Sequence, residues 1–422
     1  MAERQGTAPL DGLRVLALEQ MQSLPYGTQL LGRLGAEIIK VEHPLTGEAG
    51  RGALPAMNDP FGRPVGNTFL RNNLGKRSVG IDLKDPRGRD LVLQMAPRFD
   101  VVCENFRSST VDRLGLGYDD IVAVHPSVVY VSVSGFGHGD DSRYEDWPAY
   151  APVVEAMGGL YEFKREPGTA PISSPVGSLG DTASSLYAVI GVLAALRHRD
   201  RTGEGQYVDI AMYDAMVALG DAGINYWSMG LLDGGRAPLI NNAFLASDGY
   251  FVMQVLRQHQ WERLAQLLDE PTWRTDSRLA RPSDWFDHLD DVVRPAVERW
   301  ASTRTKFAAA EALARAGIAA GPVNTPGDVI ADPHLHARNM IVSMERVDGV
   351  PDPILSPGNP VKLSRHTEPA MSRVPWVGEH TSQILHEELG LSDDDLEPLR
   401  AARVISDDRA ATERLTPEVE AP

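Results

Sequence analysis

The opening of the chain, from Leu13 to Val41, constrains the fold more than any other stretch. Leu13 to Leu18 (LRVLAL) is an apolar run of strand length, and Tyr26 to Leu34 follows with a helical pattern closed by Gly35. Ala36 to Val41 (AEIIKV) is a second apolar run. Strand, helix and strand in quick succession predict a parallel sheet covered by helices. A dinucleotide fold would carry G-x-G-x-x-G between the first strand and helix, where this chain has EQMQSLPYG. A site for NAD or FAD is therefore not expected.

The alternation continues. Ser78–Leu83, Asp100–Glu104, Val128–Val133 and Tyr207–Ile210 read as strands, and Pro86–Met95 as a helix begun by proline. Helical turns are expected around Val111, Leu114 and Tyr118–Val124, and a further helix from Tyr213 to Leu219. Residues 134–178 are rich in Gly, Pro and Ser without a period, which suits a functional loop. Residues 228–242 have the turn composition of a linker. A smaller mixed block follows, with a strand at Gly249–Val255 and helices around Gln260–Leu268, Trp285–Trp300 and Lys306–Ala316. The expected organisation is a large α/β domain over 1–227, the linker, a small α/β domain over 243–320, a return to the large domain over 321–405, and an unstructured polar tail over 406–422.

Composition sets outer limits. A length of 422 residues argues for more than one core. A net charge of −17 argues against a nucleic-acid surface, without excluding a local basic pocket. The one cysteine, Cys103, follows two valines and reads as a core residue; no internal disulfide can form. The N-terminus lacks the apolar core of a signal peptide. The longest apolar run, Leu186–Leu196, is short of the ~20 residues of a membrane span. A cytoplasmic protein with no membrane contact is expected. H-E-x-x-H, G-x-S-x-G and Walker A patterns are absent, and His334 and His336 stand without further ligands, so no metal site is expected.

One element invites chemistry. In LGDTASSLYAVIGVLAALRHRDRTGEG, Asp181 stands at the mouth of a helix that is apolar all round and therefore expected to be buried on most sides. Aspartate is a preferred N-cap, and capping alone would explain it. The same location would lower the carboxylate's pKa and offer N–H groups to a developing oxyanion.

These stretches together resemble the class III coenzyme A transferases, the family of formyl-CoA transferase and the carnitine CoA-transferases. The resemblance covers Leu10 to about Val404. It rests on LDGLRVLAL, LGAEIIKVEHP, NLGKRSVGIDLKDPRGRDL, VVCENFRSSTVDRLGLGYDDI, VSVSGFG, the LGD helix just quoted, GPVNTPGDVIADPHLHARNM and VGEHTSQIL, in order. The resemblance implies a Rossmann-like large domain with an inserted small α/β domain, in an interlocked homodimer. It makes Asp181 the nucleophile, forming an aspartyl–acyl anhydride and then an aspartyl-CoA thioester. It places Met21 and Gln22 beside the thioester and CoA arm, Asn105, Phe106 and Arg113 against CoA, and Tyr150 near the active centre. The implied substrates are an acyl-CoA and a carboxylic acid, with CoA entering as part of a substrate and no tightly bound cofactor. His43 and Pro148 replace an arginine and a lysine of the family pattern, and the glycine-rich flap of formyl-CoA transferase has no counterpart.

Two other functions remain open on the sequence. The α-methylacyl-CoA racemases of the same superfamily use a histidine where this chain has Tyr150, and a phenol of pKa near ~10 is a poor α-proton base. A non-catalytic acyl-CoA-binding protein would use Asp181 only as a cap. Short dicarboxylates, carnitine-like acids, aryl acids and bile acids all occur as substrates within the family.

Overall fold

A computed structural model describes residues 8–409, apart from 108, 139–142, 145–146, 163–164, 166–167, 175, 231–238, 347, 349, 367, 369–370 and 372. The opening forms as the pattern predicts: β1 (Arg14–Leu18), α1 (Pro25–Arg33) and β2 (Glu37–Glu42). Pro25 begins the helix, where a missing N–H costs nothing. β1 and β2 pair in parallel, with Arg14 opposite Glu37 and Ala17 opposite Lys40. Four more strands join them: β3 (Arg77–Gly80), β4 (Val101–Glu104), β5 (Val129–Ser134) and β6 (Gln206–Ala211).

All pairings in this sheet are parallel, in the order β3-β2-β1-β4-β5-β6. That is the doubly wound order of Rossmann-like sheets. Its direction reverses between β1 and β4, and α/β sheets bind ligands at the carboxyl ends of the strands beside such a reversal. Helices α2 (Pro86–Met95) and α3 (Tyr118–Val124) cover one face with Thr381–Leu389 and Asp393–Ala401. Helices α1, α4 (Ala151–Met157), α5 (Leu179–Thr202) and α6 (Met212–Leu219) cover the other. With both faces covered, β1, β4 and β5 are buried almost throughout, and β1 reads as an apolar run rather than an alternation, while β5 buries Ser132 and Ser134 among its apolar residues. Cys103 is a free, buried core residue of β4.

α5 departs from expectation. Ala183, Ser184, Ser185, Ala188, Val192, Ala195 and Leu196 are buried, yet Leu186, Ile190 and Leu193 are 46%, 61% and 39% exposed. The small residues explain which side goes in, since they let α5 lie close on α1. At Gly27 of α1 an added Cβ would stand 2.9 Å from the Ser185 carbonyl oxygen. The larger aliphatics are left facing out of this single chain. By length and apolarity α5 could also cross a membrane, a test that core helices pass equally well.

Residues 226–338 form a second unit, and the rest of the described chain forms the first. The second unit has an antiparallel sheet of Ile240–Ala246, Gly249–Val255 and Ala319–Pro322. Its core stacks Trp261 between Trp273 and Trp285, each pair of ring centroids 4.7 Å apart. The stretch read as one helix from Trp285 to Trp300 is broken. Helix Pro282–Asp287 ends at His288, a π turn spans Leu289–Val293, and Arg294–Ala301 resumes. Pro295 accounts for the break, because it has no N–H to continue the ladder.

Other expectations need correction. Of the linker 228–242, residues 231–238 lie outside the described residues, and Ile240–Asn242 already belong to a strand. The passage 134–178 contains α4. Ser406 and Asp408, assigned to a tail, are buried: the Ser406 hydroxyl donates to Pro44 O (2.6 Å), and Asp408 Oδ2 accepts the Ser382 N–H (2.7 Å). Residues 410–422 lie outside the described residues.

Candidate active site

The loops after β1 and β4 flank the sheet reversal and are tied together by one side chain. Asn105 Oδ1 accepts the Gln20 N–H at 2.8 Å, while its Nδ2 donates to Gln20 O (2.8 Å) and Ser23 Oγ (3.0 Å). An amide used on both ends in this way shapes the loop that presents Gln22. Met21, in the same loop, adopts a left-handed backbone (φ 61°), and its N–H donates to Glu48 Oε2 at 2.9 Å. A non-glycine residue held there stores strain of about 1–3 kcal/mol, a feature that collects at functional sites.

A buried charge cluster underlies the loop. Lys76 Nζ donates to Glu19 Oε1 (2.6 Å), Thr28 Oγ1 (2.8 Å) and Pro25 O (2.9 Å). Lys40 Nζ donates to Glu19 O (2.9 Å) and stands 3.5 Å from its carboxylate. Burial pushes Lys76 down to about 8, against the pull of Glu19. Burial also opposes ionisation of Glu19, but Lys76 and Lys40 outweigh it and leave this carboxyl below its ordinary value.

The N-terminus of α5 stands over the same loop. Its N-cap is Ser178, not Asp181, in a left-handed conformation (φ 64°, ψ 41°). Asp181 is therefore the third residue of the helix, its carboxylate hydrogen-bonded to the Ser178 side chain. The N–H groups at this end are partly committed. Gly180 donates to Glu155 Oε1 at 3.0 Å, and Thr182 donates to Ser178 O at 3.1 Å. Glu155 lies on α4, is buried, and accepts the Tyr161 hydroxyl on its other oxygen at 2.7 Å. α4 comes this close because residue 180 is glycine: a Cβ there would meet Val154 Cγ2 at 2.9 Å and Ala151 Cα at 3.2 Å.

Gln22 completes the cluster. Its Nε2 donates to Thr182 Oγ1 at 3.1 Å, and its Oε1 accepts a hydrogen bond from Arg71. Ser185 Oγ, one turn along α5, donates to Ser23 O and to Asp181 O (2.9 Å). The loop and the helix end are thereby locked in register.

The electrostatics reverse one expectation. Burial pushes the Asp181 carboxyl up to about 6, and the nearby Glu155 charge adds to this, while Ser178 and the Arg71 charge pull the other way. The helix end was expected to lower this pKa, and desolvation beside a second carboxylate wins. A carboxylate of pKa 6 is still ionised at neutral pH and more basic than an ordinary one, which suits a nucleophile.

The remaining expected residues sit at varying distance from this chemistry. Tyr150 is the exposed N-cap of α4, adjoining the Ala151 that lies against Gly180. Phe106 is partly buried against the core under α2 and α3. Arg113 is exposed on the turn Thr110–Arg113 and donates to Ser109 Oγ (2.7 Å) and Thr110 Oγ1 (3.1 Å). The structure brings Asp181 and Gln22 together, with Asn105 supporting the loop. It adds Glu155, Arg71 and Ser178, which no sequence pattern singled out. Among the described residues no three His, Cys, Asp or Glu side chains converge on a metal position.

The sheet reversal, with the helix-borne aspartate and its loop beside it, defines a doubly wound α/β protein with a candidate ligand site at the carboxyl ends of its strands. Residues 10–381 match the model of CoA-transferase family III, and the chain belongs to that family. It is 31% identical over 407 residues to the succinyl-CoA–L-malate CoA-transferase beta subunit of Chloroflexus aurantiacus, covering 94% of this chain and 98% of that one. It is 33% identical over 423 residues to the succinyl-CoA–D-citramalate CoA-transferase of the same organism, covering 96% and 100%. A formyl-CoA:oxalate CoA-transferase of Rhodopseudomonas palustris is 31% identical over 415 residues, covering 92% and 95%. Among solved structures, a CAIB/BAIF family protein from Brucella suis matches with a TM-score of 0.79 and 32% identity, over 90% of this chain and 100% of that one.

Proposed function

We propose that the chain transfers CoA between an acyl-CoA and a carboxylic acid, with Asp181 as the covalent carrier. A carboxylate oxygen of Asp181 attacks the thioester carbonyl, the C–S bond breaks and CoA thiolate leaves an aspartyl–acyl anhydride. The thiolate then attacks the Asp181 carbonyl carbon and expels the donor acid, giving an aspartyl-CoA thioester. The acceptor carboxylate attacks that thioester and releases thiolate again. Attack of the thiolate on the acceptor's acyl carbon yields the new acyl-CoA and restores Asp181. No water enters, so the thioester energy is conserved. The observation that carries the proposal is the state of Asp181: desolvated, raised to about 6, and fixed by Ser178 on a helix end.

The Gln22 amide is held by Thr182, next to Asp181 in the helix, and by Arg71, and its second N–H is assigned to the tetrahedral oxyanion. On the family pattern, CoA is assigned to Met21, Asn105, Phe106 and Arg113, with Tyr150 at its acyl end. Trapping tests the mechanism. Acyl-CoA followed by hydroxylamine or borohydride should mark Asp181 by mass, and Asp181→Ala should abolish both adduct and transfer. Near-normal transfer by that variant would sink the proposal.

We also propose a homodimer, supported by the outward-facing Leu186, Ile190 and Leu193 of α5. An apolar stripe on an otherwise packed helix marks a surface that another chain covers. Sedimentation of Ile190→Glu should show a monomer, and an unchanged mass would count against this surface.

A further inference from the structure

A cavity of about 440 Å³ opens within the first unit beside this centre. One wall comes from residues 55–57 and from the helix Asn67–Asn72; the other comes from the antiparallel pair Ile341–Met344 and Ile354–Pro357. Met57, Leu70, Met344 and Ile354 make much of the lining apolar, and two arginines stand in it, Arg71 and Arg346. The size lies in the range of small-molecule sites, roughly 300–1,000 Å³.

The two arginines differ. Arg346 is committed to Asp348, with Nε donating to Oδ1 at 2.9 Å and Nη2 to Oδ2 at 2.5 Å. Arg71 donates to the neutral Gln22 side chain and exerts its charge on Asp181, and no carboxylate pairs with it among the described residues. A guanidinium carries five N–H donors. Gln22 takes one, and the rest of the fork borders the apolar cavity. Arg71 is exposed at the cavity's edge with donors to spare, and a carboxylate fits its planar fork on two parallel hydrogen bonds.

We propose that this cavity seats the carbon chain of the acid, and that Arg71 binds a second carboxylate of a dicarboxylic substrate. The inference rests on Asp181 being the nucleophile. The reacting carboxyl group must meet Asp181, whereas Arg71 borders both that centre and the cavity. An acid with one carboxylate at Asp181 can therefore reach the arginine with the other. A monocarboxylate of equal length offers the guanidinium no partner. Arg71 is in this sense a specificity-determining residue, acting on the far end of the substrate.

Succinate and butyrate, each of four carbons, separate the possibilities as CoA acceptors with one acyl-CoA donor at saturation. The ratio of their kcat/KM values cancels effects on the donor half-reaction. The wild type should favour succinate by about 100-fold, the equivalent of hydrogen bonds to a charged group. Arg71→Met should lower kcat/KM for both acids through the loss of its hold on Gln22, but for succinate far more than for butyrate, so that the preference disappears, and Arg71→Lys should restore part of it. Unchanged thermal melting of the variants shows that the fold survives. A succinate-to-butyrate ratio in Arg71→Met equal to that of the wild type would overturn the proposal, as would a wild type indifferent between the acids. The Asp181 adduct, detected by mass without any acceptor, separates the two levels. If the adduct forms and neither acid accepts CoA, the cavity assignment alone fails; if no adduct forms, the nucleophile assignment fails and takes this one with it.

Discussion

Glu155 Oε1 accepts the backbone N–H of Gly180 at 3.0 Å, one residue before Asp181. A buried carboxylate thus occupies a donor at the helix end and sits close enough to raise its neighbour's pKa. Glu155→Gln keeps an acceptor for Gly180 and removes the charge. The Asp181 pKa should fall, so the acid limb of single-turnover acylation should move below its wild-type position near pH 6. The rate on the plateau should fall modestly, because a less basic carboxylate is a weaker nucleophile. A pH–rate profile of acylation, with the acid limb unmoved, would show that Glu155 acts by packing alone.

Asp181 itself should cost the fold stability. Its folded-state pKa of about 6 lies above the ordinary 3.8, so the native protein holds the proton more tightly than the unfolded chain. Stability is therefore lost as pH rises from about 4 through 6, and the cost is complete above that range. Asp181→Asn should be inactive, yet more stable than wild type at pH 7.5 by on the order of 2 kcal/mol. At pH 4 the two should converge. Denaturant unfolding at both pH values measures this, and a variant equally stable with wild type at both would contradict the desolvation account.

The parallel sheet and most of its crossovers were legible because buried strands leave continuous apolar runs and α1, α2 and α5 carry helical periods. Asp181 was legible as the polar residue at the mouth of the longest such run. Its pKa direction was not, because desolvation depends on what packs overhead, and that is α4. Seven residues long and set in a Gly- and Pro-rich passage, α4 shows little periodicity; Pro152 near its start is the one local cue. Glu155 was invisible for the same reason. Arg71 sits in a short helix whose sequence, NTFLRN, looks like any surface turn. Arg71 is exposed, and an arginine that lines a cavity differs from any other exposed one in its neighbours, not in its spacing. Asn105 was found, but for CoA contact: the residues that would consume its amide, Gln20 and Ser23, meet it only through the sheet order.

That double use of Asn105 distinguishes two roles. If it shapes the Gln20–Ser23 loop, Asn105→Ala removes three hydrogen bonds and should cost about 2 kcal/mol of stability. It should also lower acylation kcat, because Gln22 loses its setting. A residue that only contacts CoA would weaken CoA binding and leave stability unchanged. Calorimetric CoA titration alongside denaturant unfolding of the variant separates them.

The charge cluster beneath the loop should be strongly coupled. Lys76→Met would leave the Glu19 carboxylate buried with its nearest remaining cation, Lys40, at 3.5 Å rather than Lys76 at 2.6 Å. Breaking one side of a buried pair costs about 3–5 kcal/mol, because the orphaned charge keeps its desolvation penalty. Converting the partner as well, in Lys76→Met with Glu19→Gln, should recover much of that loss even though both native side chains are gone. Urea unfolding midpoints of the two single variants and the double variant give the coupling energy directly. Additive losses would mean that Glu19 and Lys76 are satisfied independently, Glu19 by Lys40 and Thr28, and that the loop carrying Gln22 does not depend on their pairing.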